Sequence, residues 1–114
     1  RPNVLVTGGG VIGTSIAYHL TRRKVRVTLL EQGQLASGSS SACDGLVFLQ
    51  SKKPGVHFLR DFKMIRAFAG LRPYTPDGLP ILGPVETIQG FIMAAGHEGD
   101  GIALPPITGE LIAH

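Results

Sequence analysis

The 114-residue chain contains one cysteine, no tryptophan and little charge, with Asp, Glu, Lys and Arg making up 17% of it. A lone cysteine, Cys43, excludes an internal disulfide and supplies no metal cluster, so it reads as a small free thiol in a loop. No apolar run reaches the roughly 20 residues that a membrane-spanning helix needs. The first residues read as a buried strand rather than a secretion signal. Aromatic residues are scarce, at 6%, and the basic clusters Arg22-Arg23-Lys24 and Lys52-Lys53 are short, scattered and not interleaved with aromatics. The net charge of +3 therefore reads as solvated turns, and no nucleic-acid partner is expected. These exclusions leave a cytoplasmic protein as the expectation, with any membrane attachment peripheral and made through a partner.

Against those absences stand a hydrophobic fraction of 43% and sixteen glycines. Length and composition suit one globular domain with a real core. Residues 3–7 read as a short buried strand running into glycine. From Val11 to about Arg23, the apolar residues Val11, Ile12, Ile16, Ala17 and Leu20 recur at helical spacing, which predicts a helix with one stripe packed on a sheet. Arg22, Arg23 and Lys24 complement the negative end of its dipole. Residues 25–31 predict a second strand, so the opening is a βαβ unit whose crossover should be right-handed. A Gly-, Ser- and Ala-rich loop follows over 33–45, with brief strands expected at 45–49 and 64–71. Pro73, Pro76, Pro80 and Pro84 punctuate an extended segment in which Asp77-Gly78 is a turn site. Residues 91–95 predict another buried strand. A closing helix then runs to the end, with Pro105 and Pro106 in its first turn, where missing amide protons cost least.

The motif Gly8-x-Gly10-x-x-Gly13 follows the first strand and opens the helix, and Glu31 ends the second strand. Each of these residue types has a physical role in holding a dinucleotide. Gly8 permits a tight turn, Gly10 lets backbone approach a pyrophosphate, and Gly13 lets the helix pack closely. The helix start at Val11 and Ile12 presents free amides and a positive dipole end to phosphates. Glu31 is placed to accept hydrogen bonds from ribose hydroxyls, and its charge disfavours the 2′-phosphate of NADP. The pattern alone does not separate FAD from NAD.

Two blocks carry a more specific likeness. The first runs from Val4-Leu5-Val6 through the glycine motif to Glu31-Gln32-Gly33-Gln34-Leu35-Ala36-Ser37-Gly38-Ser39-Ser40. The second runs from Leu71-Arg72-Pro73-Tyr74-Thr75-Pro76-Asp77-Gly78-Leu79-Pro80-Ile81-Leu82-Gly83 to Ala94-Ala95-Gly96-His97-Glu98-Gly99-Asp100-Gly101. Together they resemble the FAD-dependent amine and amino-acid oxidoreductases: the group of glycine oxidase, sarcosine oxidase, D-amino-acid oxidase and dye-linked proline dehydrogenase. The resemblance covers nearly the whole chain and implies FAD as the cofactor. It implies that Glu31, Gln32, Ser39 and Ser40 serve the ribose and diphosphate, and that Asp44-Gly45-Leu46 run beneath the isoalloxazine edge. Gly96, His97, Glu98, Gly99, Gly101 and Ile102 would form a turn of backbone amides facing the flavin's pyrimidine oxygen, where negative charge accumulates on reduction. His97 is then a flavin-contacting turn residue and not a catalytic base, and no side chain is assigned as catalytic.

Arg72 matches the family's arginine that grips a substrate carboxylate through paired hydrogen bonds; a surface arginine beside a proline turn is the alternative. Glycine oxidases carry a further arginine where this chain has Glu98-Gly99, which points away from glycine and towards the proline-dehydrogenase-like branch. Sarcosine oxidases present a cysteine where Arg72 stands, and dimethylglycine-dehydrogenase relatives present a histidine near Ala42, so the resemblance implies non-covalent FAD here. The implied fold is α/β: a Rossmann-like FAD-binding domain with a parallel central sheet, built from residues 1–55 and 56–114. Most of the substrate domain that separates these blocks in the family is missing. Strands 3–7, 25–31 and 91–95 are expected in one parallel sheet, with the closing helix packed beside the first. The implied activity is oxidation of a small-molecule amino acid or secondary amine to the imine by hydride transfer to flavin, with partner subunits or an acceptor protein taking electrons. A non-catalytic FAD- or nucleotide-binding module and an NAD-dependent dehydrogenase are the alternatives.

Overall fold

A computed structural model of the chain describes residues 2–43 and 71–114. Asp44, Gly45 and Leu46, the strand expected at 45–49, the junction between the two blocks and nearly all of the strand expected at 64–71 lie outside the described residues. Strand β1 (Asn3–Thr7), helix α1 (Val11–Arg22) and strand β2 (Arg26–Leu30) form the opening βαβ unit. The two strands are parallel, in a register running from Asn3 beside Arg26 to Thr7 beside Leu30. Pleating turns Val4 and Val6 of β1 and Val27 and Leu29 of β2 to one face, and α1 covers it. The stripe that meets them is Ile12, Ile16 and Leu20, spaced four residues apart so that each sits one turn above the last. Val6, Ile16 and Leu20 are the buried hydrophobic centre among the described residues. Leu5 and Leu30 point to the opposite face and stay exposed.

Helix α1 ends where Lys24 takes a left-handed conformation, with φ of 60°. That lets the Val25 amide donate back to the Leu20 carbonyl at 3.2 Å and closes the last turn. The carboxyl-terminal half supplies strand β3 (Ile81–Pro84), strand β4 (Ile92–Ala95), a single 3-10 turn at Glu98–Asp100 and helix α2 (Pro105–Ala113). Pro105 and Pro106 occupy the first turn of α2, as their chemistry requires. Asp77-Gly78 makes the expected turn, with the Gly78 amide on the Thr75 carbonyl and the Asp77 carboxylate accepting from the Leu79 amide.

One expectation is corrected. Strand β4 does not join β1 and β2 in a parallel sheet; it pairs antiparallel with β3, from Ile81 beside Ala95 to Pro84 beside Ile92. The physical reason is local. Residues 85–91 form a compact turn stitched by bonds from Val85 to Phe91, Ile88 to Val85 and Phe91 to Ile88. A short loop closes at less entropic cost than a pairing across most of the chain. Proximity to the first sheet survives through packing alone: Ala94 of β4 lies against the Val6, Ile16 and Leu20 cluster, as do Ile112 and Ala113 of α2. The closing helix does pack beside α1, as expected.

With few buried side chains among the described residues, each of these carries a large share of stability. Leu20→Ala should cost about 2–4 kcal/mol in urea unfolding through lost transfer energy and a residual cavity. Leu5→Ala, on the exposed face, should change it by less than about 0.5 kcal/mol.

Candidate cofactor site

The first half of the site lies at the carboxyl ends of β1 and β2, where open parallel sheets hold ligands. Beyond Thr7, Gly8 takes φ of +98°, a conformation that side-chain-bearing residues rarely adopt, and turns the chain into α1. Its amide still donates to the Leu30 carbonyl at 2.8 Å, so the ladder continues into the turn. Gly13 is required by contact: a Cβ there would overlap the carbonyl oxygen of Gly8. The helix therefore lies tightly against its own glycine turn. The Val11 amide donates to the Ser40 hydroxyl at 3.0 Å, while those of Ile12 and Gly13 donate to no described residue. Two amides at the positive end of α1 thus remain available to an anion.

Glu31 reaches across to the same turn. One carboxylate oxygen accepts from the Gly9 amide at 2.7 Å and the other from the Gly33 amide at 3.0 Å. These backbone bonds, Gly9's foremost, hold its pKa below the usual 4.5 against the opposing effect of desolvation. Glu31 is therefore an anion at neutral pH, with lone pairs left to accept hydroxyl protons. Thr7, Gly8, Leu30, Glu31 and Gln32 line a cleft of about 490 Å³ beside it. The loop after β2 is pinned over the turn: the Ala36 amide donates to the Gly9 carbonyl at 2.9 Å, and the Leu35 side chain lies over Gly9. A side-chain-free Gly10 and two amides without a partner among the described residues at the start of α1, with an ionised carboxylate lining the cleft after β1 and β2, fit the adenosine and diphosphate of a dinucleotide.

The second half surrounds the later glycine turn. Gly96 takes φ of +79° and carries Thr75 so closely that a Cβ on it would stand 2.5 Å from the Thr75 methyl. Thr75 is buried and its hydroxyl has no partner among the described residues. The Thr75 amide points to the Glu98 carboxylate at 3.4 Å, and Glu98 itself holds a left-handed backbone, φ 43°. Arg72 is exposed, and its guanidinium lies over Gly99, 3.7 Å from where a Cβ would stand. The arginine is thus brought to the turn that the sequence singled out. The two blocks also meet directly, because the Ser39 hydroxyl donates to the Leu71 carbonyl at 2.8 Å.

His97 faces inward. Its ring is buried, its Nε2 is hydrogen-bonded to the equally buried Thr108 hydroxyl at 2.9 Å, and burial lowers its pKa from 6.5. A neutral ring turned away from solvent leaves backbone, not imidazole, as what this residue offers a ligand. Pro105 and Pro106 carry no amide proton, so the first two positions of α2 offer a ligand no donor. Sequence reasoning missed several contributors. Thr7 and Leu30 line the cleft simply by ending their strands, which counting along each strand could have shown. Gly9, Ser15 and Thr108 act through contacts distant in sequence and left no local signal, whereas Gly33 meets Glu31 only two residues away.

A parallel strand pair joined by a helix, with a glycine turn and an ionised glutamate at its carboxyl ends, defines a nucleotide-binding α/β protein. The chain belongs to the FAD-dependent oxidoreductase family, whose model matches residues 3–60 and 53–114. FAD is the cofactor of that family. Hydrogen cyanide synthase subunit HcnC of Pseudomonas aeruginosa is 48% identical over 54 residues, 47% of this chain and 13% of that protein. Glycine oxidase of Geobacillus kaustophilus is 47% identical over 49 residues, 43% of this chain and 13% of that protein. The mitochondrial pyruvate dehydrogenase phosphatase regulatory subunit of Mus musculus is 49% identical over 48 residues, 41% of this chain and 6% of that protein. The matched part of the chain thus spans well under a fifth of the length of these relatives. No solved structure matches the chain at a significant level.

The buried neutral His97 gives stability a pH dependence of definite sign. Its folded pKa lies below 6.5, so as pH falls through that value the unfolded chain takes up a proton that the folded one refuses. Stability is complete above this range and declines towards acid. Thermal midpoints should therefore fall between about pH 7.5 and 5.5, and fall less steeply in His97→Gln, which can bond Thr108 but does not titrate.

Proposed function

We propose that the chain is the FAD-holding part of an oxidoreductase that converts an amino acid or secondary amine to its imine. Glu31 would accept the adenosine ribose hydroxyls, with the diphosphate against the amides at the start of α1 and the flavin towards the turn from Gly96 to Ile102. When bound, FAD supplies the acceptor for the hydride leaving the substrate carbon next to nitrogen. The chain's own residues bind and orient. Arg72 carries the substrate reading: an exposed, planar cation beside the later glycine turn can hold a carboxylate by two parallel hydrogen bonds. The ring of His97 is engaged by Thr108, in keeping with a reaction in which the substrate enters as the neutral amine and needs no strong base. FAD is held without a covalent bond, and partner subunits complete the protein; HcnC is itself named as a subunit.

A second reading is a module that holds FAD without turnover. The regulatory name of the mouse relative favours it. Mixing the protein with FAD should give a yellow complex retained through gel filtration, and Gly10→Val, which fills the approach to the diphosphate, should abolish retention. Bleaching of the flavin absorbance by proline, sarcosine or a D-amino acid without oxygen supports the oxidoreductase reading. A flavin that binds and never bleaches, even with the partner subunits restored, supports the module.

In the catalytically complete protein, Arg72→Lys should raise KM for carboxylate-bearing substrates about ten- to a hundredfold, through loss of a paired charge-assisted contact. Amines without a carboxylate should be unaffected. Equal damage to both would mean that Arg72 only holds the proline-rich turn.

A further inference from the structure

The two halves of the site come from opposite ends of the chain, and among the described residues a seam between α1 and α2 joins them, beside the Ser39–Leu71 bond and the packing of Ala94. On α1, the Ser15 hydroxyl donates to the Pro105 carbonyl at 2.7 Å, across 90 residues of sequence. One turn along α2, Gly109 lies so close that a Cβ would stand 2.5 Å from the Ser15 hydroxyl and 2.8 Å from its carbonyl carbon and oxygen. No shift of one side chain relieves that, because two of the three atoms are backbone. Beside Gly109, Thr108 is 1% exposed and bonded to His97. The first turn opens α1, Ser15 and Gly109 fix α2 on α1, and Thr108 fixes the second turn to α2 through His97. These contacts are continuous from the first glycine turn to the second.

From this geometry we infer that Gly109 and Thr108 are positioning residues that set the distance between the diphosphate-holding turn and the flavin-facing turn. The inference rests on the functional reading above and deepens it. An extended FAD must touch both turns at once, so its affinity depends on their spacing. ADP, which carries the adenosine and diphosphate alone, meets only the first turn and is indifferent to that spacing. Gly109→Ala pushes α2 and α1 apart and substitutes no residue of the first turn. Thr108→Val keeps the shape of the side chain and releases His97 from α2, leaving a buried ring nitrogen unpartnered.

The test compares ADP and FAD binding to the 114-residue protein by titration calorimetry, with bound-flavin absorbance as a second readout. Wild type should bind both. In Gly109→Ala the FAD dissociation constant should rise at least about tenfold while that for ADP stays within about twofold. Thr108→Val should show the same split, more weakly, with a shifted flavin spectrum, and it carries the test if Gly109→Ala does not fold. Equal weakening of both ligands would make the seam a general stability element and overturn the inference, as would unchanged FAD affinity in folded variants. Wild type binding ADP but not FAD would also overturn it, leaving the first turn a nucleotide site. Wild type binding neither would defeat the functional reading itself, and the inference with it.

Discussion

Helix α1 is pressed into three contacts at once, and the absence of side chains at chosen points is what permits this. Its apolar stripe of Ile12, Ile16 and Leu20 meets the parallel strands. Its first turn lies against Gly8 because Gly13 has no Cβ, and its Ser15 face meets α2 because Gly109 has none. A methyl group at either glycine would have to displace backbone. The hydrophobic centre among the described residues is small, so geometry at these contacts, more than the area buried there, determines where the amino ends of both helices sit. Dispersion and hydrogen bonding across such close approaches fall off steeply with separation, which makes the arrangement sensitive to single atoms.

The electrostatics of the cleft follow from that placement. At the start of α1 the Ile12 and Gly13 amides donate to no described residue, while Glu31 takes up the Gly9 and Gly33 amides. One carboxylate thereby orders the turn and the start of the following loop, and it remains ionised because backbone donors favour its charged form. Donors and acceptors are thus segregated between the helix start and the end of β2. Amides at the helix start suit a diphosphate, and the carboxylate suits hydroxyl groups. Membership of the FAD-dependent family gives this segregation its cofactor, which the glycine pattern alone left open between FAD and NAD.

The second turn works differently from the first. Prolines at the start of α2 remove amide donors, and the His97 ring is committed to Thr108. What the turn presents is backbone, strained at Glu98 and braced from behind by a buried hydrogen bond. Among the described residues, Arg72 is the long cation brought against it. A histidine in a glycine-rich turn invites a catalytic assignment; here burial and a fixed partner make it a brace.

The sequence by itself determined the elements that depend on near neighbours. Strand 3–7, the helix from Val11, the strand before Glu31, the Asp77-Gly78 turn and the proline-led closing helix all follow from side-chain periodicity and local backbone chemistry, and they formed where expected. The glycine motif and Glu31 were legible for the same reason, since their spacing along a βαβ unit brings them together. Tertiary structure decided the rest. It paired β4 with β3 rather than with β1, because a short turn closes more cheaply than a distant pairing. It turned His97 inward to a threonine eleven residues away and set Gly109 on Ser15, contacts between elements whose mutual placement no local pattern encodes. Periodicity specifies which face a residue occupies; only packing specifies what that face meets.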